Sequence, residues 1–398
     1  MQRAAIVLLT LLTLSANAAD KTIRRLDGSR ISTAKASKLA AETFAKHGVT
    51  GAQIAVVDRG KLVWSEAFGL RTLDPRQPMQ PTTTTWAASI TKGVFATYVM
   101  QLVERGEFDL DLPIVRQLPK PLHEYEPYRE KGTLLAGDPR WQRVTPRMLL
   151  AHTAGLRNFA FLEADQKMRL HFEPGTRYHY SGEGFNLVQY VIEQQKGKPL
   201  NELMQESIFA PAGMTRTAMI FREELGSDIA DRFGIEGQFL SRTRRHPSRG
   251  AGSMTSSAED LARFASALFA NKLIKPATRK KMLAPVIPIR TLHQFATGPE
   301  EEGAEAKAVG LAYGIGWGLL TKTKFGPAFF KEGHGDGAQN YMICFERRQA
   351  CMILLTNSDN GELAFRTLLE GIFGNTVTPW VWEGYTPEQI EARRKSGN

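Results

Sequence analysis

Ser89-Ile90-Thr91-Lys92 places a hydroxyl and an amine three residues apart at the head of an apolar run. Val94, Phe95, Tyr98, Val99, Leu102 and Val103 recur at helical spacing and Gly106 supplies a stop, so a helix is predicted from Ser89 onward. Ser89 then sits in the first turn, where unpaired N–H groups and the positive end of the dipole favour a developing negative charge. Lys92 falls on the same face, within reach of the hydroxyl. A serine nucleophile needs a neighbour that takes its proton or stabilises its alkoxide, and a lysine one turn away does either. Four residues alone also describe a capped helix with a solvated lysine. Ser32-Thr33-Ala34-Lys35 shows that the spacing arises by chance.

Three further stretches carry chemistry. In Phe172–Phe185 a Pro174-Gly175 turn presents Tyr180 ahead of a helix. A phenol beside a lysine ammonium would have its pKa pulled down, which suits a general base; a core tyrosine is the plainer alternative. Gly333-His334-Gly335-Asp336-Gly337-Ala338 lies between two strands. Glycines there admit close backbone approach to a ligand and leave an N–H for an oxyanion. His152 closes a short helix, where a structural hydrogen bond is the expected role.

Elements at both ends of the chain must position these groups. A helix over 34–47, capped by Ser32 or Thr33, precedes strands over 52–58 and 62–68 joined at Arg59-Gly60. From Asp109 to about Gly250 the pattern is helix and loop, with Thr145-Pro146 as a clean helix start. Ser256-Ser257-Ala258-Glu259 reads as a capping box opening a helix through Phe269. A charged loop over 300–307 leads to strands over 313–321, 328–332, 340–345 and 350–356, then a helix over 362–373. The predicted fold class is α+β, an antiparallel sheet flanked by helices with an inserted, mainly helical subdomain over about 109–250. The cleft between sheet and insertion is the expected place for a site.

The 398 residues are 42% hydrophobic and 23% charged, as in a soluble globular protein. Residues 1–19 combine Arg3, an apolar run and Ala16-Asn17-Ala18, the pattern of a secretory signal. The expected product is a secreted or periplasmic chain with a domain over 20–375, a polar, poorly ordered tail over 376–398 and no transmembrane span. The formal charge of +10 becomes +9 without Arg3, an excess suited to an anionic wall or membrane surface. No basic cluster interleaved with aromatics argues for nucleic acid. Cys344 and Cys351 would face each other across a hairpin, either as a disulfide or as reduced core thiols; no metal or cofactor is implied.

Taken together, these segments resemble the β-lactamase-related serine hydrolases, which include class C β-lactamases, D-alanyl-D-alanine carboxypeptidases and esterases. The match runs in order through Ser89-x-x-Lys92, Leu149-Leu150-Ala151-His152-Thr153, Tyr180-Ser181, Pro211-x-Gly213-Met214, Gly252-Ser253-Met254, Tyr313–Trp317 and His334-Gly335. The resemblance covers roughly residues 35–375 and implies Ser89 as nucleophile, with Lys92 and Tyr180 managing its proton in an order left open. It implies an oxyanion site between the Ser89 N–H and one just after His334, with Gly337 the expected donor. Two departures stand out: Gly182 occupies the usual place of a substrate-binding asparagine, and His334-Gly335-Asp336 replaces Lys-Thr-Gly or His-x-Gly. Both argue against efficient β-lactam hydrolysis and for simple esters of short acids. The expected function is therefore hydrolysis of an ester or amide, of a small molecule or a cell-wall peptide, through a Ser89 acyl-enzyme. A true β-lactamase and a non-catalytic cell-wall peptide binder are the alternatives.

Overall fold

A computed structural model describes residues 21–396, apart from Arg245, Thr297 and Pro299. The expected signal over residues 1–19 lies outside the described residues. Nine strands form one antiparallel sheet: β1 (Gly51–Asp58), β2 (Lys61–Leu73), β3 (Arg76–Pro78), β4 (Ile287–Pro288), β5 (Leu311–Tyr313), β6 (Gly318–Leu320), β7 (Ala328–Gly335), β8 (Ala338–Phe345) and β9 (Ala350–Thr356). Their order is β4-β5-β6-β7-β8-β9-β1-β2-β3, so the pairing of β9 with β1, Ile353 opposite Ala55, joins the two ends of the chain. Helices cover both faces, which is why the central strands are buried at every position rather than at alternate ones. Parity decides the destination of each side chain. Phe329, Met342 and Ile353 enter one core, and Phe330, Ile343 and Leu354 enter the other.

The helices follow local signals. Ser32 Oγ caps α1 (Thr33–Lys46) by accepting from the Lys35 N–H. The central helix α2 (Ile90–Glu104) is buried on all sides down to Leu102, hence its almost uninterrupted apolar sequence. Gly93 lets it seat on Trp317, whose ring lies 2.4 Å from where a Cβ would stand. Thr145 caps α3 (Pro146–Leu150), Ser181 caps α4 (Gly182–Lys196), and Ser257 caps α5 (Ala258–Phe269). On the opposite face of the sheet α6 (Glu362–Leu368) continues as a wider turn through Phe373.

Several expectations need correction. The cap of α5 is Ser257, accepting from the Asp260 N–H, rather than a box starting at Ser256; Asp260 is engaged with Arg216 and Thr217. The stretch 313–321 is two strands interrupted by Gly314–Trp317, and the charged loop over 300–307 ends in a short helix, Ala304–Val309. The middle region carries a hairpin of Asp231–Phe233 with Phe239–Arg242. The last residues are not a loose tail. They form α7 (Trp380–Glu383) and α8 (Pro387–Ser396), with Trp380, Trp382, Tyr385 and Ile390 buried. Cys344 and Cys351, opposite each other in β8 and β9, are joined as a disulfide.

Trp382 packs against Phe330 and Tyr178, so the C-terminal segment supports the underside of β7. Trp382→Ala should cost about 3–5 kcal/mol, the usual loss for a buried large aromatic, measured by urea unfolding. A loss below about 1 kcal/mol would mean that the segment is not part of the core.

Candidate active site

Ser89 stands at the N-terminus of α2, just after Ala88, whose φ of 45° is in the left-handed region that alanine rarely adopts. The bend is held by the Ala88 carbonyl, which accepts from both the N–H and the hydroxyl of Thr91. None of the described residues accepts from the Ser89 N–H, which leaves that donor free at the positive end of the helix. Lys92 Nζ lies 2.9 Å from Ser89 Oγ and donates to the Ala251 carbonyl at 2.6 Å. The lysine is 1% exposed, and burial, followed by the charge of Lys331, holds its pKa well below the ordinary lysine value.

Tyr180 joins the pair, lining the same cleft as Ser89 with Lys92 Nζ 4.9 Å and Lys331 Nζ 5.0 Å from its ring centre. Its phenol does not become acidic as expected. Burial outweighs the neighbouring Lys331 ammonium and pushes the pKa up to about 12, so Tyr180 enters the site protonated. His152 acts as a structural group: its Nδ1 accepts from the Ser181 N–H at 3.0 Å, its Nε2 meets Tyr313 Oη at 3.2 Å, and its ring stacks on Tyr180 at 4.3 Å. Burial, then Lys92 and Lys331, keep it neutral.

Strand β7 forms the opposite wall, and here the sequence reading missed the important side chain. Lys331, Gly333 and Gly335 share the parity of Phe329 and face α2. Gly333 fits directly against the Ala87 carbonyl, 2.3 Å from where a Cβ would stand, and Gly335 fits against the Trp86 ring. Lys331 is fully buried, with its Nζ on the Glu332 carboxylate. Burial alone would depress its pKa; Glu332 and then Tyr180 hold it above the ordinary lysine value. A Lys-x-Gly signal was present at Lys331-Glu332-Gly333, displaced in the reading by the neighbouring His334-Gly335.

His334 has the other parity. Its Nδ1 lies 2.5 Å from Glu362 of α6, which in turn pairs with Arg393 of α8. Burial would lower its pKa, but the Glu362 carboxylate leaves it raised. The expected oxyanion donor also needs correction. The Gly337 N–H donates to Asp359 Oδ1 at 2.6 Å and is occupied. Gln339, opposite His334, turns both its N–H and its C=O to Thr356, so the His334 peptide is not tied to β8 and faces the open edge of β7.

Gly182 begins α4, and its N–H donates to Asn158 Oδ1 at 2.9 Å. A Cβ there would meet the Phe159 ring at 2.6 Å, so position 182 has no room for the asparagine expected by resemblance. Asn158 brings an amide to the same spot from the preceding loop, a substitution in space that linear spacing does not reveal. Ser89, Tyr180, Asn158, Glu332 and His334 all line one cleft of about 470 Å3.

A family model described as Beta-lactamase matches residues 29–372. The chain belongs to the beta-lactamase family. Esterase EstB of Burkholderia gladioli is 27% identical to this beta-lactamase-family chain over 316 residues, covering 67% of this chain and 77% of the esterase. A D-aminopeptidase of Brucella anthropi is 27% identical over 233 residues, 53% of this chain and 41% of that protein. Among solved structures, the octameric penicillin-binding protein homologue from Pyrococcus abyssi superposes with a TM-score of 0.70 at 22% identity, covering 88% of this chain and 80% of that one, which establishes the fold. The family is largely one of serine hydrolases, and penicillin-binding proteins, esterases and D-aminopeptidases are among the relatives of this chain.

Contact between Gly333 and the Ala87 carbonyl sets the distance from β7 to Ser89. Gly333→Ala should force the strand away from α2 and lower kcat/KM on any substrate by on the order of a hundredfold, as expected for a displaced reacting group. Retention of full activity by a folded Gly333→Ala protein would show that β7 does not set the site geometry.

Proposed function

We propose that the protein is an exported serine hydrolase that cleaves esters or amides through a Ser89 acyl-enzyme. The observation that carries this reading is Lys92 Nζ, desolvated and 2.9 Å from Ser89 Oγ at the free N-terminus of α2. A lysine kept neutral by burial takes the Ser89 proton as Oγ attacks the carbonyl carbon. The oxyanion then rests on the N–H groups of Ser89 and His334. Tyr180, protonated and beside Ser89 in the cleft, hands a proton to the leaving group and recovers one through the lysines. Water releases the acid from Ser89. Lys92 is thus the base of the free enzyme and Tyr180 the proton carrier. The disulfide between Cys344 and Cys351 supports export to an oxidising compartment.

A fluorophosphonate should add one phosphonyl group to the protein, and Ser89→Ala should abolish that labelling while Ser32→Ala leaves it intact. Lys92→Ala and Tyr180→Phe should each slow acylation by on the order of a hundredfold. Labelling of Ser89→Ala at the normal rate, read by intact mass, would refute the nucleophile. Absence of labelling in wild type would favour a non-catalytic binder.

Esters should be preferred over β-lactams. Lys331, buried behind the cleft, is already neutralised by Glu332 and offers a substrate carboxylate no unpaired charge, while the aromatic lining of Phe159, Phe161 and Phe295 favours an uncharged ester. We expect kcat/KM for a nitrophenyl ester to exceed that for a chromogenic cephalosporin. The reverse order in wild type would identify a β-lactamase.

A further inference from the structure

The polar groups of the cleft converge on its floor, and its walls are aromatic. Phe159 and Phe161 stack at 5.3 Å on the loop before α4, and Phe295 meets the Tyr180 ring edge-on at 5.1 Å from the loop after β4. Both pairs line the same cleft as Ser89. Phe161 is 64% exposed and Phe295 51%, with Leu162 at 47% beside them. Large apolar side chains left open to water in a group mark a surface that something covers. This group ends on the candidate nucleophile, so its occupant is bonded to the carbonyl that Ser89 attacks.

We propose that the substrate carries an extended apolar tail, alkyl or aryl, laid along Phe159, Phe161 and Phe295 while its ester or amide carbonyl reaches Ser89. The inference rests on the serine-hydrolase reading and names its substrate class. It replaces the short acids expected from sequence with longer ones. The cleft volume of about 470 Å3 is in the range of small-molecule sites that enclose most of their ligand. The chemistry of the acyl step is unchanged: the tail adds affinity and places the carbonyl, and no atom of Phe159, Phe161 or Phe295 takes part in bond making.

The test is a chain-length series of nitrophenyl esters from acetate to octanoate, kept below their aggregation limits, with alkyl esters of one short acid as a second arm. Each methylene that reaches the aromatic wall should raise kcat/KM by roughly fourfold, so octanoate should exceed acetate by at least about tenfold. Phe161→Ser and Phe295→Ser, both at exposed positions, should each lower the octanoate-to-acetate ratio by roughly three- to tenfold. Because the ratio is read within one variant, a loss of folded enzyme cancels. A rise with length confined to the alcohol arm, and flattened by the same substitutions, would also support the tail subsite. A wild type that hydrolyses both esters with a ratio near unity in both arms would overturn it, as would an unchanged ratio in both variants. Hydrolysis of neither ester by a wild type that a fluorophosphonate still labels at Ser89 would overturn it too. Failure of the underlying reading has a different signature, hydrolysis that survives in Ser89→Ala.

Discussion

Burial of the Lys92 side chain is the constraint on which the site is built. Its amine has two polar partners, Ser89 Oγ and the Ala251 carbonyl, and leaving either unmet in a dry interior would be costly. The segment that supplies the carbonyl is accordingly pinned along its length. Gln189 Oε1 of α4 accepts from the Gly250 N–H at 2.6 Å, Asn186 Oδ1 accepts from the Ala251 N–H at 3.3 Å, and Ser253 Oγ donates to the Met219 carbonyl at 2.7 Å. Thr91 of α2 closes the ring by accepting from the Met254 N–H at 3.1 Å. Helix α4 therefore contributes to the chemistry without touching the reacting atoms, by holding the loop that receives the lysine.

Two lysines of nearly equal burial meet opposite fates, and one carboxylate accounts for the difference. Lys92 has no acid in contact and sits near another cation, so its charged form is disfavoured twice. Lys331 bonds Glu332 and keeps its charge. Tyr180 lies between them, each Nζ about 5 Å from its ring centre (4.9 Å for Lys92 and 5.0 Å for Lys331). Glu332 thereby sets which of the two amines holds its charge, from the position next to Lys331 on the same strand.

What was legible in the sequence was whatever depends on neighbours along the chain. The caps at Ser32 and Thr145, the apolar period of α2 and the one-turn spacing of Ser89 and Lys92 all belong to that class. The rest depends on register. Whether Lys331 or His334 faces Ser89 is decided by which face β7 shows to α2, and a one-residue slip would reverse it. The occupation of the Gly337 N–H follows from Asp359, twenty-two residues away, and the Asn158 amide reaches position 182 across a loop. Burial of Trp380 and Trp382 could not be read from a terminal segment otherwise rich in charge.

The same parity explains how the C-terminal residues reach the site. His334, of the parity opposite to Lys331, meets Glu362 at the edge of the cleft, and Glu362 meets Arg393 of α8. Glu383 of α7 reaches Tyr341 of the paired strand at 3.3 Å, and its pKa is raised well above the usual carboxylate range by burial and then by Glu332. The acid–base groups thus stand on α2, the head of α4 and a strand braced from behind. The aromatic walls that would read the substrate stand on loops, where residues can change without disturbing that bracing.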